Sequence, residues 1–198
     1  SPLSTILKVT PAQGGMGWTA SEYGFFAGSY SFINIFLLML FFGGIILDRM
    51  GIRFTGIMST GLMFAGALVK FYAIAYIHSE ATITPAFTVF GLIPSPCKIQ
   101  VLIASLGFAI FGVGCEIAGI TVSKIITKWF TGYELALAMG IQVALARLGT
   151  AGALSISPFI ASNFSLSTPI LLGVLLLLIG FVSFIVYNVM DKKLDTQT

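Results

Sequence analysis

The sequence predicts an all-α, polytopic transmembrane helix bundle, and three observations carry that prediction. Apolar residues make up 57% of the 198 residues, charged residues only 9%, and mean hydropathy is +1.02, well outside the range of soluble domains. The apolar residues fall in nearly uncharged runs of roughly 20 or more, the length a helix rising about 1.5 Å per residue needs to cross a ~30 Å hydrocarbon core. These runs are apolar on every face, whereas a membrane strand alternates over about ten residues. Helices are then the remaining way to satisfy every backbone group in lipid.

Residues 1–22 read as an extracytoplasmic segment. Its first part holds Lys8, Pro2, Pro11 and several Gly, without the basic-then-apolar order of a signal peptide. The first span covers 23–47, free of formal charge between Glu22 and Asp48, with Asn34 as its main polar interruption. After the turn Asp48 to Arg53, a second span covers 54–77 and contains Lys70. His78 to Lys98 is a loop broken by Pro85, Pro94 and Pro96, with His78 as an interfacial residue. The third span, 99–122, carries Glu116 and the fourth, 135–160, carries Arg147, with the polar segment Ser123 to Glu134 between them. Within that segment Trp129 and Phe130, beside Lys124 and Lys128, suit a short amphipathic stretch lying on the membrane surface. Pro158 is placed to kink or end the fourth span, and a fifth covers 170–189 before the charged tail 190–198.

Lys and Arg in the loops set the orientation. Arg49, Arg53, Lys124, Lys128, Lys192 and Lys193 lie on one side, six residues, against Lys8 and Lys98 on the other. The richer side is expected to be cytoplasmic. The first span then enters from outside, so an odd number of spans, at least one, is expected before Ser1 if the full protein begins in the cytoplasm. The net charge of +3 comes from these scattered residues rather than a basic face, so nucleic acid is not an expected partner. Cys97 and Cys115 have no metal-ligand spacing. No metal and no cofactor is expected. Nor is an enzyme: the chain holds no Ser, His and Asp set, no phosphate loop and no haem motif.

The turn between the first two spans reads Gly44-Ile45-Ile46-Leu47-Asp48-Arg49-Met50-Gly51-Ile52-Arg53. It resembles the cytoplasmic signature of the major facilitator superfamily, with Ile52 where that family usually has a basic residue. Gly44 suits close approach of a neighbouring helix and Gly51 a tight reversal. Asp48, with Arg49 and Arg53 beside it, suits a charged latch that breaks and reforms as two halves rock.

Three further stretches are Phe111-Gly112-Val113-Gly114-Cys115-Glu116, Lys128 to Leu135, and Ala144-Leu145-Ala146-Arg147-Leu148-Gly149. Together with Tyr30 to Asn34 and Phe42-Gly43-Gly44, they resemble the lysosomal dipeptide-transporter branch of the superfamily and its bacterial relatives, over about Glu22 to Pro158. The resemblance implies a twelve-span fold of which this chain would supply helices two to six, the first helix and the C-terminal half lying elsewhere. It implies secondary transport of a small organic solute by alternating access, a dipeptide or other zwitterion before all. Another transported metabolite, a channel or a structural membrane subunit are the alternatives. The expected location is a bacterial inner membrane, with the lysosomal membrane as alternative; bilayer lipid and the solute are the expected partners.

The resemblance also implies that Glu116 and Arg147 bind the two termini of the substrate. An ionised side chain within a span costs at least about 2.5 to 3.5 kcal/mol, so both are expected to face protein or water. From the inner ends of their spans their depths are roughly 9 and 18 Å at 1.5 Å per residue. That gap suits a dipeptide, whose termini lie roughly 6 to 7 Å apart; a plain structural ion pair is the alternative. Asn34 either bonds a neighbouring helix or lines the cavity. Lys70 is within snorkelling reach of the outer interface, and Trp18, Tyr23, Tyr72 and Tyr76 suit an interfacial aromatic belt.

Overall fold

The computed structural model describes residues 17–36, 39–77, 82–83, 94, 96–164 and 167–195. Most of the segment 1–22, His78, Pro85 and the last tail residues 196–198 lie outside them. Among the described residues the chain forms five helices: α1 (Ala20–Phe36), α2 (Met39–Tyr76), α3 (Ile99–Trp129), α4 (Tyr133–Asn163) and α5 (Thr168–Asp195). Two dipeptide strands, β1 (Thr82–Ile83) and β2 (Cys97–Lys98), pair antiparallel before α3. Among the described residues four helices, α2 to α5, are long and apolar enough to cross a membrane. The molecule is therefore the all-α membrane bundle that its composition predicts.

α2 is two helices end to end. Gly51 sits at φ 79°, ψ 169°, outside helical space and in a region that only glycine enters without strain. The neighbours along α3 show what it does. Trp18 meets Gln100, Phe26 meets Phe108, Gly43 approaches Ile117 and Asp48 reaches Lys124, so α1 and the first part of α2 run in the direction of α3. Past Gly51 the order inverts: Ser59 and Met63 lie against Gly114, Gly66 against Gly107 and Phe111, and Ala73 against Gln100. The chain has turned back on itself at Gly51.

Small residues bring α2 and α3 together. A Cβ added to Gly66 would lie 2.5 Å from the Phe111 amide nitrogen, and one added to Gly107 would lie 2.8 Å from the Gly66 carbonyl oxygen. Such backbone-to-backbone contact replaces, in a membrane, the hydrophobic drive that lipid removes. α5 packs on the returning half of α2 in the opposite sense, Arg53 with Asp191 and Phe64 stacked on Phe181. α4 stands apart: nearly every residue from Gly140 to Ser155 is exposed among the described residues.

Two helices run further than expected. α3 continues through Ser123–Trp129 and α5 through Asp191 to Asp195, so the basic stretch carrying Lys124 and Lys128 extends a span instead of lying flat on the surface. Continuing a helix pairs the amides of the added residues within it, and the Lys residues in both last turns complement the negative end where the last carbonyls stay unpaired. α4 likewise passes through Pro158 to Asn163.

Candidate functional site

Polar side chains gather in three layers along the axis of α3. At its N-terminal end Thr19 and Glu22 form a capping box, the Glu22 amide donating to Thr19 Oγ1 (3.2 Å) and the Thr19 amide to Glu22 Oε2 (2.8 Å). The other oxygen, Glu22 Oε1, accepts from the Lys98 amide at 3.0 Å, at the mouth of α3. Lys98 Nζ donates to the Gly17 carbonyl (2.8 Å), and Trp18 Nε1 donates to Gln100 Oε1 (3.1 Å). Trp18 is thus buried between helices rather than serving in an interfacial belt; Tyr72 and Tyr76 are exposed as such a belt requires. Burial, joined by the Glu22 charge, pushes the Cys97 thiol above its ordinary pKa.

The middle layer holds Glu116. The Tyr30 hydroxyl on α1 donates to Glu116 Oε1 at 3.4 Å, a long contact, with Cys115 alongside. One turn beyond Tyr30, Asn34 Nδ2 donates to the Tyr30 carbonyl at 2.9 Å, while its Oδ1 is buried with no hydrogen bond. Asn34 fits there because α3 presents Gly112, whose added Cβ would come 3.2 Å from Asn34 Nδ2.

Lys70 turns into this layer instead of snorkelling outward. Its Nζ lies 5.1 Å from the centre of the Phe108 ring and 5.4 Å from that of Phe111. Phe108 and Phe111 are stacked on each other, with Tyr30 tilted against both. No carboxylate lies within ion-pair distance of Lys70 among the described residues. A cation over aromatic faces gains about 0.5 to 2 kcal/mol, less than the roughly 2.5 to 3.5 kcal/mol that a charge costs at mid-membrane. The rings alone leave that ammonium undercompensated.

Arg147 lies on the exposed face of α4 and makes no ion pair with Glu116. The two residues singled out from the sequence form no ion pair with each other.

The third layer surrounds the reversal at Gly51. Asp48 accepts from Lys124 Nζ, with the Asp48 side chain 75% exposed; such a pair contributes about 0 to 1 kcal/mol. Arg53 Nε donates to Asp191 Oδ2 (2.7 Å), Arg53 Nη2 to the Asp191 carbonyl (2.9 Å) and Lys128 Nζ to Asp191 Oδ1 (3.0 Å). Asp191 is buried and its cations are partly exposed, so this network ties α2, α3 and α5 together at modest energy. Arg49 is exposed. Gly44 has open space beside it; Gly43 is the residue that α3 crowds, its added Cβ falling 3.1 Å from Ile117 Cγ1. A cavity of about 400 Å³ lies among Asp48, Gly51, Arg53, Lys124, Lys128 and Asp191. A larger one of about 480 Å³, between α1 and α3, is lined almost wholly by apolar side chains and touches neither Glu116 nor Arg147.

The roles of Asp191, Glu22 and the inward Lys70 were not anticipated. Glu22 was findable, since Thr19-Ala20-Ser21-Glu22 is a capping-box pattern at the start of an apolar run. Asp191 gave a weaker signal, a lone acid ending an apolar run beside two lysines.

Comparison with known proteins finds similar membrane transporters. The chain is similar to the lysosomal dipeptide transporter MFSD1 of Bos taurus, of Pongo abelii and of Homo sapiens, 30% identical in each case over 122 residues. The matched region is 61% of this chain and 21% of each relative. The likeness is to membrane transporters, over about a fifth of their length. No protein-family model matches the chain. No solved structure matches it.

Proposed function

We propose that the chain is part of a secondary transporter of the major facilitator kind, one that moves a small zwitterionic solute, a dipeptide first of all, by alternating access. The observation that carries this reading is Glu116, a carboxylate inside a membrane span, with one oxygen accepting a long contact from the Tyr30 hydroxyl. An ionised group in that position requires a function or a partner, and the similar proteins are dipeptide transporters. Glu116 would take the substrate ammonium. Arg147, exposed on the loosely attached α4, would bring its planar fork to the carboxylate from the opposite side. The remainder of the cavity would come from a first helix and a C-terminal half beyond this chain.

Gly44, Asp48, Arg49, Gly51 and Arg53 would form the conformational latch, and the exposure of the Asp48–Lys124 pair suits a contact that must open in every cycle. Catalysis and cofactors have no place in this reading. The membrane would be a bacterial inner membrane, or a lysosomal one in a eukaryotic relative. Uptake by the complete protein in proteoliposomes tests it: dipeptide uptake should saturate, show counterflow, and fall severely in Glu116→Gln and in Arg147→Lys at near-normal expression. Binding of sugars with indifference to peptides would overturn it.

A further inference from the structure

We infer that Lys70 is a carboxylate-binding residue of the substrate site, its ammonium resting on Phe108 and Phe111 and holding the acidic end of a solute whose other end reaches Glu116. The inference rests on the transporter reading above and adds a cation that lies within the bundle, on the same side of α3 that Tyr30 and Asn34 approach.

Three observations converge on it. Lys70 Nζ sits over two rings with no carboxylate within ion-pair distance among the described residues, so the site has a cation awaiting an anion. Glu116 lies five positions beyond Phe111 and eight beyond Phe108 on α3, axial rises of about 7.5 and 12 Å, so the two charges stand at different levels of the helix. Between these two levels, beside Gly112, Asn34 Oδ1 is buried without a donor. A cation, an acceptor and an anion in that order complement a carboxylate, a peptide N–H and an ammonium. The bland alternative is a lysine satisfied by its two rings. It predicts no dependence of binding on the ligand's charge at the acidic end.

The test compares a dipeptide, the same dipeptide as its C-terminal amide, and a simple monocarboxylate, binding to the complete protein measured by calorimetry in detergent. In the wild type the free acid should bind at least about tenfold better than the amide. Lys70→Met should lower that preference severalfold by weakening the acid while leaving the amide within about twofold, the remainder being carried by Arg147. Because this change takes a charge out of the bundle interior, its melting temperature should equal or exceed that of the wild type. Lys70→Arg keeps the cation and should retain a preference for the acid, so the question stays answerable if the Met variant does not fold. A preference for the acid that is unchanged in Lys70→Met and falls only in Arg147 variants overturns the role of Lys70 and leaves the transporter reading standing. Binding of the monocarboxylate with loss in Lys70→Met, but no binding of dipeptides, upholds Lys70 and overturns the dipeptide reading. Failure of all three ligands overturns both.

Discussion

Replacing Gly66 by Ala should cost about 1 to 3 kcal/mol of stability, the usual penalty for forcing a methyl into a packed interface. The added Cβ would stand 2.5 Å from the Phe111 nitrogen, 2.6 Å from the Gly107 oxygen and 2.9 Å from Phe111 Cα. All three are backbone atoms, so no side chain can rotate away. Ordinary carbon contacts begin near 3.5 Å, and α2 must therefore move away from α3 by about 1 Å. The same shift would lift Lys70, one turn further along α2, off its rings. Reversible unfolding of the complete protein in mixed micelles measures the loss. Gly119→Ala on α3 is the control, because nothing lies within 4 Å of its added Cβ and the change should stay within about 0.5 kcal/mol. Gly107→Ala should cost about as much as Gly66→Ala, and the double variant less than their sum, since helices once parted accommodate both methyls. A Gly66→Ala protein as stable as the control would refute the close backbone contact.

Two other predictions concern orientation and the turn. Thr82→Cys should react with an impermeant maleimide from outside the cell and Thr131→Cys only after permeabilisation. The native background should stay quiet, because Cys97 is buried with its thiol pKa raised and Cys115 lies inside the apolar span of α3. The reverse pattern would invert the assigned topology. Asp48→Asn should slow the transport cycle severalfold while leaving substrate affinity within about twofold, since Asp48 lies at the reversal and far from the middle layer; transport rates and calorimetry on one preparation separate the two, and a large affinity loss would contradict the latch.

The bundle was legible from the chain because hydropathy depends on composition over a whole span and hardly on what the span touches. The reversal was legible too, because Gly51 follows a charged turn between two apolar runs. Helix ends were not: Ser123–Trp129 is polar enough to read as a loop, yet extending α3 satisfies its amides at no cost in lipid contact. Side-chain direction was the least visible. Seven residues from the end of its span, Lys70 could reach the interface, and what turns it inward is the contact of Gly66 with Gly107, a relation between positions 41 apart. Glu116 and Arg147 could be named from the motifs that carry them. Their separation could not, since it depends on how α4 packs and not on depth along each helix.

Glu22 has a consequence for which substitutions the chain can tolerate. Its two carboxylate oxygens serve different helices, one accepting from Thr19 and the other from the amide that opens α3. Gln has the same shape but only one acceptor, and its amide group would face a backbone N–H, donor against donor. Asp has both acceptors and is one methylene too short to span the gap. No other side chain offers two acceptors at that reach, so of the links between the beginnings of α1 and α3 this is the one that joins two backbone amides through a single side chain. The chain has no near synonym for it.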